Sequence, residues 1–137
     1  MGFTNVKSIG PWVLRLIAAV IMMQTLYFKF TASEESVYIF TTLGMEPWGR
    51  IGIGAMELIA AILVLYPRTS VYGGLLAMGL MSGAIFFHLT KLGIVVMNDG
   101  GQLFVYAILV FGASLALVLM QRTQIYSLIH LKSKYWL

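Results

Sequence analysis

The chain has 137 residues, of which 60% are hydrophobic and 10% charged, with a net charge of +4 and a mean hydropathy of +0.90. A water-soluble domain carries about 25% charge and about 45–50% apolar residues, so this composition cannot dress a globular surface in polar groups; the low charge also excludes a disordered chain. Zero cysteines exclude disulfide relays, thiol nucleophiles, iron–sulfur ligation and zinc ribbons. The expected solvent is a lipid bilayer, and the expected fold a single all-α membrane domain.

A membrane-crossing helix needs about 20 predominantly apolar residues. In chain order such runs cover residues 12–30, 48–66, 71–95 and 103–121, which predicts a transmembrane four-helix bundle. Pro11 and Pro47 stand just ahead of the first two runs, where a missing N–H is tolerated. Pro67 closes the second run, and Gly100-Gly101 separates the third from the fourth. Trp12, Trp48 and Tyr66 fall at run ends, where amphipathic rings favour the headgroup region. The first run is too long for a signal-peptide core and is followed by no small-residue cleavage site, so it is expected to stay as a helix.

Between the first two runs, Thr31-x-x-Glu34 has the spacing of a capping box and Gly44 is a natural helix stop. A short interfacial helix is expected there. In the third run, Gly79-x-x-x-Gly83 is a spacing that permits close helix contact. After the fourth run, residues 122–137 alternate Ile125, Leu128, Ile129 and Trp136 with Arg122, His130, Lys132 and Lys134, the pattern of a basic amphipathic tail.

Four spans put both termini and the turn at Pro67-Arg68 on one side. That side carries Lys7, Arg68, Arg122, Lys132 and Lys134, with Arg15 near its edge, and no acid; the other carries Lys29, Arg50 and Lys91 beside Glu34, Glu35, Glu46 and Asp99. The excess of basic residues marks the cytoplasmic face, so both termini are expected to be cytoplasmic. Topology accounts for the positive charge, which leaves no basis for a nucleic-acid partner.

Charges at span ends can reach the interface, but Glu57 lies nine residues from either end of its span, about 13 Å of helix. An ionisable group at that depth requires a partner and marks a candidate functional site. Lys29 leans into the membrane and Glu57, on a helix of opposite direction, leans toward it. His88 lies in the same outer half, so Lys29, Glu57 and His88 form the expected cluster, with Arg50 and Tyr106 as further members. Glu57 as a purely structural pin is the competing reading. Gln24, about 180° around the first helix from Arg15, is read as interhelical glue or an oligomer contact. His88 and His130 fall in opposite halves, so neither haem ligation nor another metal site is expected within one chain.

These residues also resemble the DoxX family of small four-helix membrane proteins. The resemblance runs over residues 14–119. It rests on Leu14-Arg15-Leu16, Tyr27-Phe28-Lys29-Phe30, Leu43-Gly44-Met45-Glu46-Pro47, Glu57-Leu58-Ile59-Ala60-Ala61, Phe87-His88 and Asn98-Asp99-Gly100-Gly101-Gln102. Family members often carry Glu at the position of Gln102. The resemblance implies a bacterial-type inner membrane and a redox-associated subunit linked to quinone chemistry. His88 and Glu57 would then hydrogen-bond quinone oxygens and exchange protons, with Lys29 or Arg50 stabilising the anion. A structural or assembly subunit with no chemistry of its own, contacting other membrane subunits or a second copy, is the alternative, and a small-solute or proton pathway a third. The cysteine-free sequence makes the topology directly testable. A cysteine placed at Arg68 is expected to label with a membrane-impermeant maleimide only from the cytoplasmic side, and one at Glu34 only from the opposite side; the reverse pattern would invert the assignment.

Overall fold

In lipid every backbone N–H and C=O must be satisfied within the protein, and a helix does this segment by segment. The computed structural model describes residues 2–122, with side chains from residue 9 onward, and among them all regular structure is helical. Helix α1 (Gly2–Phe30) is followed by a short α2 (Glu34–Thr42), then α3 (Trp48–Leu65), α4 (Ser70–Phe87), which runs on through one π-helical turn (His88–Leu92), and α5 (Gln102–Met120). The expected basic tail lies outside the described residues. Four stretches, Ile9–Phe30, Trp48–Leu65, Ser70–Leu92 and Gln102–Met120, are long and apolar enough to cross a membrane.

Helix α1 packs on α3 and α5, and α4 packs on the same two, so the four long helices form a closed ring in the order α1, α3, α4, α5. The shared core is built largely of alanine: Ala18, Ala19, Ala60, Ala61, Ala77, Ala107 and Ala113 surround Met22, Val64, Met81, Val110 and Leu117. Without a hydrophobic drive between helices, small residues that allow close van der Waals approach do the packing. The outer surface is equally apolar, with Val20, Ile59, Ile62, Phe86 and Leu119 more than half exposed, as a lipid-facing belt requires.

Three boundaries differ from expectation. Pro11 lies inside α1 rather than ahead of it, because a fixed helical φ lets the helix continue at the loss of one hydrogen bond. The third span stops at Leu92, not residue 95, where Gly93 turns to φ +79°. Ser33, not Thr31, caps α2, accepting from the Ser36 N–H; the Thr31 hydroxyl instead donates back to the Tyr27 carbonyl at 2.6 Å and finishes α1. Gly44, at φ +73°, does terminate the α2 segment. Arg15, expected near the membrane edge, is buried.

The close helix approach is also elsewhere than Gly79-x-x-x-Gly83, where added Cβ atoms would meet open space. It is at Gly73, where a Cβ would lie 2.5 Å from the Val64 backbone nitrogen and 2.8 Å from the Leu63 carbonyl carbon. The tight α3–α4 turn sets this approach, with Thr69 Oγ1 donating to the Leu63 carbonyl at 2.8 Å. Gly73→Ala is therefore expected to lower stability by about 1–3 kcal/mol through overpacking. Gly79→Ala is expected to be neutral or to gain up to about 1 kcal/mol of helix propensity. Thermal unfolding of both variants in one detergent compares them, and equal effects would contradict the assigned contact.

Candidate functional site

Glu57 occupies the centre of α3 and is 3% exposed. Lys29, in the last turn of α1, places its Nζ 3.1 Å from Glu57 Oε1 and 3.2 Å from Oε2. One turn earlier, the Thr25 hydroxyl lies 3.1 Å from Oε2 and 2.9 Å from the Met22 carbonyl, its single proton serving either acceptor. Gly54, one turn before Glu57, brings the α1 end close, since a Cβ there would meet the Phe30 ring at 3.0 Å. The opposing lean of the two side chains thus ends in an ion pair.

Arg50 does not join this pair. Its Nε donates to both Glu46 oxygens, at 2.9 and 3.1 Å, and Nη1 donates to the Lys29 carbonyl. Glu46 lies in the turn just ahead of α3, four residues before Arg50, and that short separation brings it to the guanidinium in the first turn of the helix. Arg50 therefore closes the C-terminus of α1, where a cation opposes the helix dipole, and fixes the backbone that carries Lys29.

His88 opens the π-helical turn and is buried. Its Nδ1 lies 2.9 Å from the Gly93 carbonyl. A carbonyl only accepts, so Nδ1 carries the proton and donates it to Gly93. The ring also meets Phe104 edge-on, with centroids 5.7 Å apart. Tyr106 receives a hydrogen bond from Gln102 Nε2 at 2.7 Å, leaving its own hydroxyl proton to donate.

Lys29, Glu57, His88 and Tyr106 all line one cavity of about 370 Å³, bounded by α2 and by the ends of the four long helices nearest to it. Apolar groups make up most of its wall, among them Met22, Phe40, Leu80, Phe87 and Val110. Gln24 lies on the same wall while its side is exposed on the outside of α1. Gly79 and Gly83 line the cavity too, so the absence of side chains there leaves space rather than a helix contact.

Glu35 is the wall residue that sequence reasoning passed over. It was read as one of several outer-face acids, but α2 folds over the cavity and brings Glu35 onto its wall, with Oε1 buried and lacking a hydrogen-bond partner. Burial, and then the nearby Asp99, push its carboxyl above the usual range. Asp99 shows the opposite balance. Burial opposes its charge, but the N–H groups of Val96, Gly101 and Leu103, together with His88, hold its carboxyl below the usual range. Asp99 thereby ties the loop before α5 to the first turn of that helix, with Oδ1 accepting at 3.0 and 2.8 Å and Oδ2 at 3.3 Å.

Among the described residues, no three of His, Cys, Asp and Glu are grouped so as to hold a metal ion. The sequence profile of the DoxX-like family matches residues 13–113, a stretch that takes in Lys29, Glu57, His88 and Tyr106. Neither a curated protein nor a solved structure matches the chain.

Removing one member of a buried pair strands the other charge. Lys29→Met is expected to destabilise the protein by about 3–5 kcal/mol, and Lys29→Met combined with Glu57→Leu to recover most of that loss. Unfolding of the single and double variants under identical detergent conditions reads the difference. Additive losses would mean that the two charges do not neutralise one another.

Proposed function

Because the chain belongs to the DoxX-like family, we propose that it is a redox-associated membrane subunit whose outer-half cavity binds a lipid-soluble quinone. The observation that carries this reading is one apolar chamber holding a buried Lys29–Glu57 ion pair together with His88 and Tyr106. A volume of about 370 Å³ falls within the range of about 300–1,000 Å³ typical of small-molecule sites. A ring with a polar group at each edge fits such a chamber: apolar walls take the faces, and a few placed polar groups take the edges.

The donors for quinone oxygens are the Tyr106 hydroxyl and the Lys29 ammonium, and the proton-exchanging groups are His88 and Glu57. Reduction of a quinone to the quinol takes up two electrons and two protons. The chain offers groups that handle protons, and a partner redox protein supplies the electrons, which is why the reading is of a subunit. Entry from the bilayer suits the exposure of wall residues Gln24 and Phe28 on the outside of α1. The same reading places the cavity in the outer leaflet half of a bacterial-type inner membrane, with both termini cytoplasmic and α2 at the outer interface.

A second reading, that of a structural or assembly subunit, is favoured by Gln24 alone: an exposed amide within a membrane-crossing stretch is a natural contact for a neighbouring helix. Under it, Gln24→Leu dissociates a native complex that Glu57→Gln leaves intact.

The purified chain in detergent is expected to bind decyl-ubiquinone or a short-chain menaquinone saturably. Glu57→Gln is expected to weaken Kd about 10- to 150-fold, the equivalent of a charge-assisted hydrogen bond of about 1.5–3 kcal/mol. Absence of saturable binding to either quinone would overturn the proposal.

A further inference from the structure

Arg15 is a cation inside the membrane-crossing part of α1 with no counter-charge of its own. It lies six residues beyond Ile9, where that stretch begins, about 9 Å of helix, and is 5% exposed. All five acidic residues of the chain, Glu34, Glu35, Glu46, Glu57 and Asp99, belong to the other half of the bundle. Even Glu57, level with Thr25 through their hydrogen-bonding contact, stands ten residues above Arg15, about 15 Å along the helix. A lone charge at that depth is unfavourable unless an anion reaches it.

The side chain is aimed at one source of such an anion. Helical side chains lean toward the N-terminus, and the Arg15 guanidinium rests over the Trp12 ring, 4.9 Å from its centroid, one turn nearer the membrane surface. Trp12 is 39% exposed and sits where indole rings meet lipid headgroups. The Arg15 Nε is buried without a hydrogen-bond partner, and its guanidinium lies on the Trp12 side of the residue, the side nearest the lipid phosphates. We propose that Arg15, held by Trp12, binds the phosphate of an acidic phospholipid in the leaflet at the α1 start. A guanidinium forks two N–H bonds onto phosphate oxygens, and a surface free of acidic side chains favours a net-negative headgroup. This site is separate from the outer cavity and independent of what that cavity binds.

Native mass spectrometry of the full chain, released from detergent with equal phosphatidylglycerol and phosphatidylcholine of the same acyl chains, tests the proposal. The wild type is expected to retain one phosphatidylglycerol in preference to phosphatidylcholine by about fivefold or more. Arg15→Gln abolishes the preference, whereas Arg68→Gln, an exposed cation on the same side, leaves it in place. Trp12→Leu, which keeps the charge but removes its support, is expected to weaken the preference severalfold and provides a second variant if Arg15→Gln does not fold. Equal retention of the two lipids by the wild type, or an unchanged preference in both variants, would overturn the proposal. So would stabilisation by inorganic phosphate equal to that by phosphatidylglycerol, because it would assign the site to a free anion.

Discussion

A carboxylate at the middle of a membrane-spanning helix must find its counter-charge within the protein. Here the Lys29–Glu57 pair answers that constraint, and much of the half of the bundle beneath α2 is arranged around it. The pair sets the azimuth and depth at which α1 docks on α3. Gly54 lets the α1 end approach, Thr25 adds a hydroxyl to the carboxylate, and Arg50 holds the Lys29 carbonyl while it is itself held by Glu46. With Lys29 and Arg50 both engaged at the end of α1, the chain turns into α2, which covers that end of the ring. A polar floor is thus fixed beneath a mostly apolar chamber.

The two halves of the bundle solve opposite electrostatic problems. The half beneath α2 holds every acid in the chain, and it pairs buried charges internally through Lys29–Glu57 and Arg50–Glu46. The other half packs tightly through Gly73, Ala18 and Ala61 and carries Arg15 without an acid. Space and ion pairing therefore coincide in one half, and close packing with an unmatched cation in the other. This asymmetry is why we propose ligand binding in the half beneath α2 and lipid binding in the other.

The spans were legible because lipid demands a signal that composition alone transmits: long apolar runs punctuated by Pro, Gly and interfacial aromatics. Glu57 stood out by depth, and Lys29 followed from the lean of helical side chains on antiparallel helices. Other parts depend on competition that a one-dimensional pattern does not resolve. Arg50 had two acids within reach, and the local i−4 partner Glu46 won over Glu57. The Thr31-x-x-Glu34 spacing pointed to Thr31 as the cap of α2, whereas Ser33, adjacent to the first helical residue, fills that place. The π-helical turn at His88 leaves no trace in hydropathy, and Glu35 becomes a cavity residue only once α2 has folded back over the helices.

The central claim is that Glu57 is ionised inside the membrane and forms the floor of a ligand cavity. Isotope-edited infrared spectroscopy of the reconstituted chain, with labelled glutamate and with Glu57→Gln as the difference reference, measures this directly. The account predicts an ionised carboxylate band that disappears in Glu57→Gln and shifts when decyl-ubiquinone is added. A protonated carboxyl band in its place, or a carboxylate band unmoved by a quinone that binds, would contradict it.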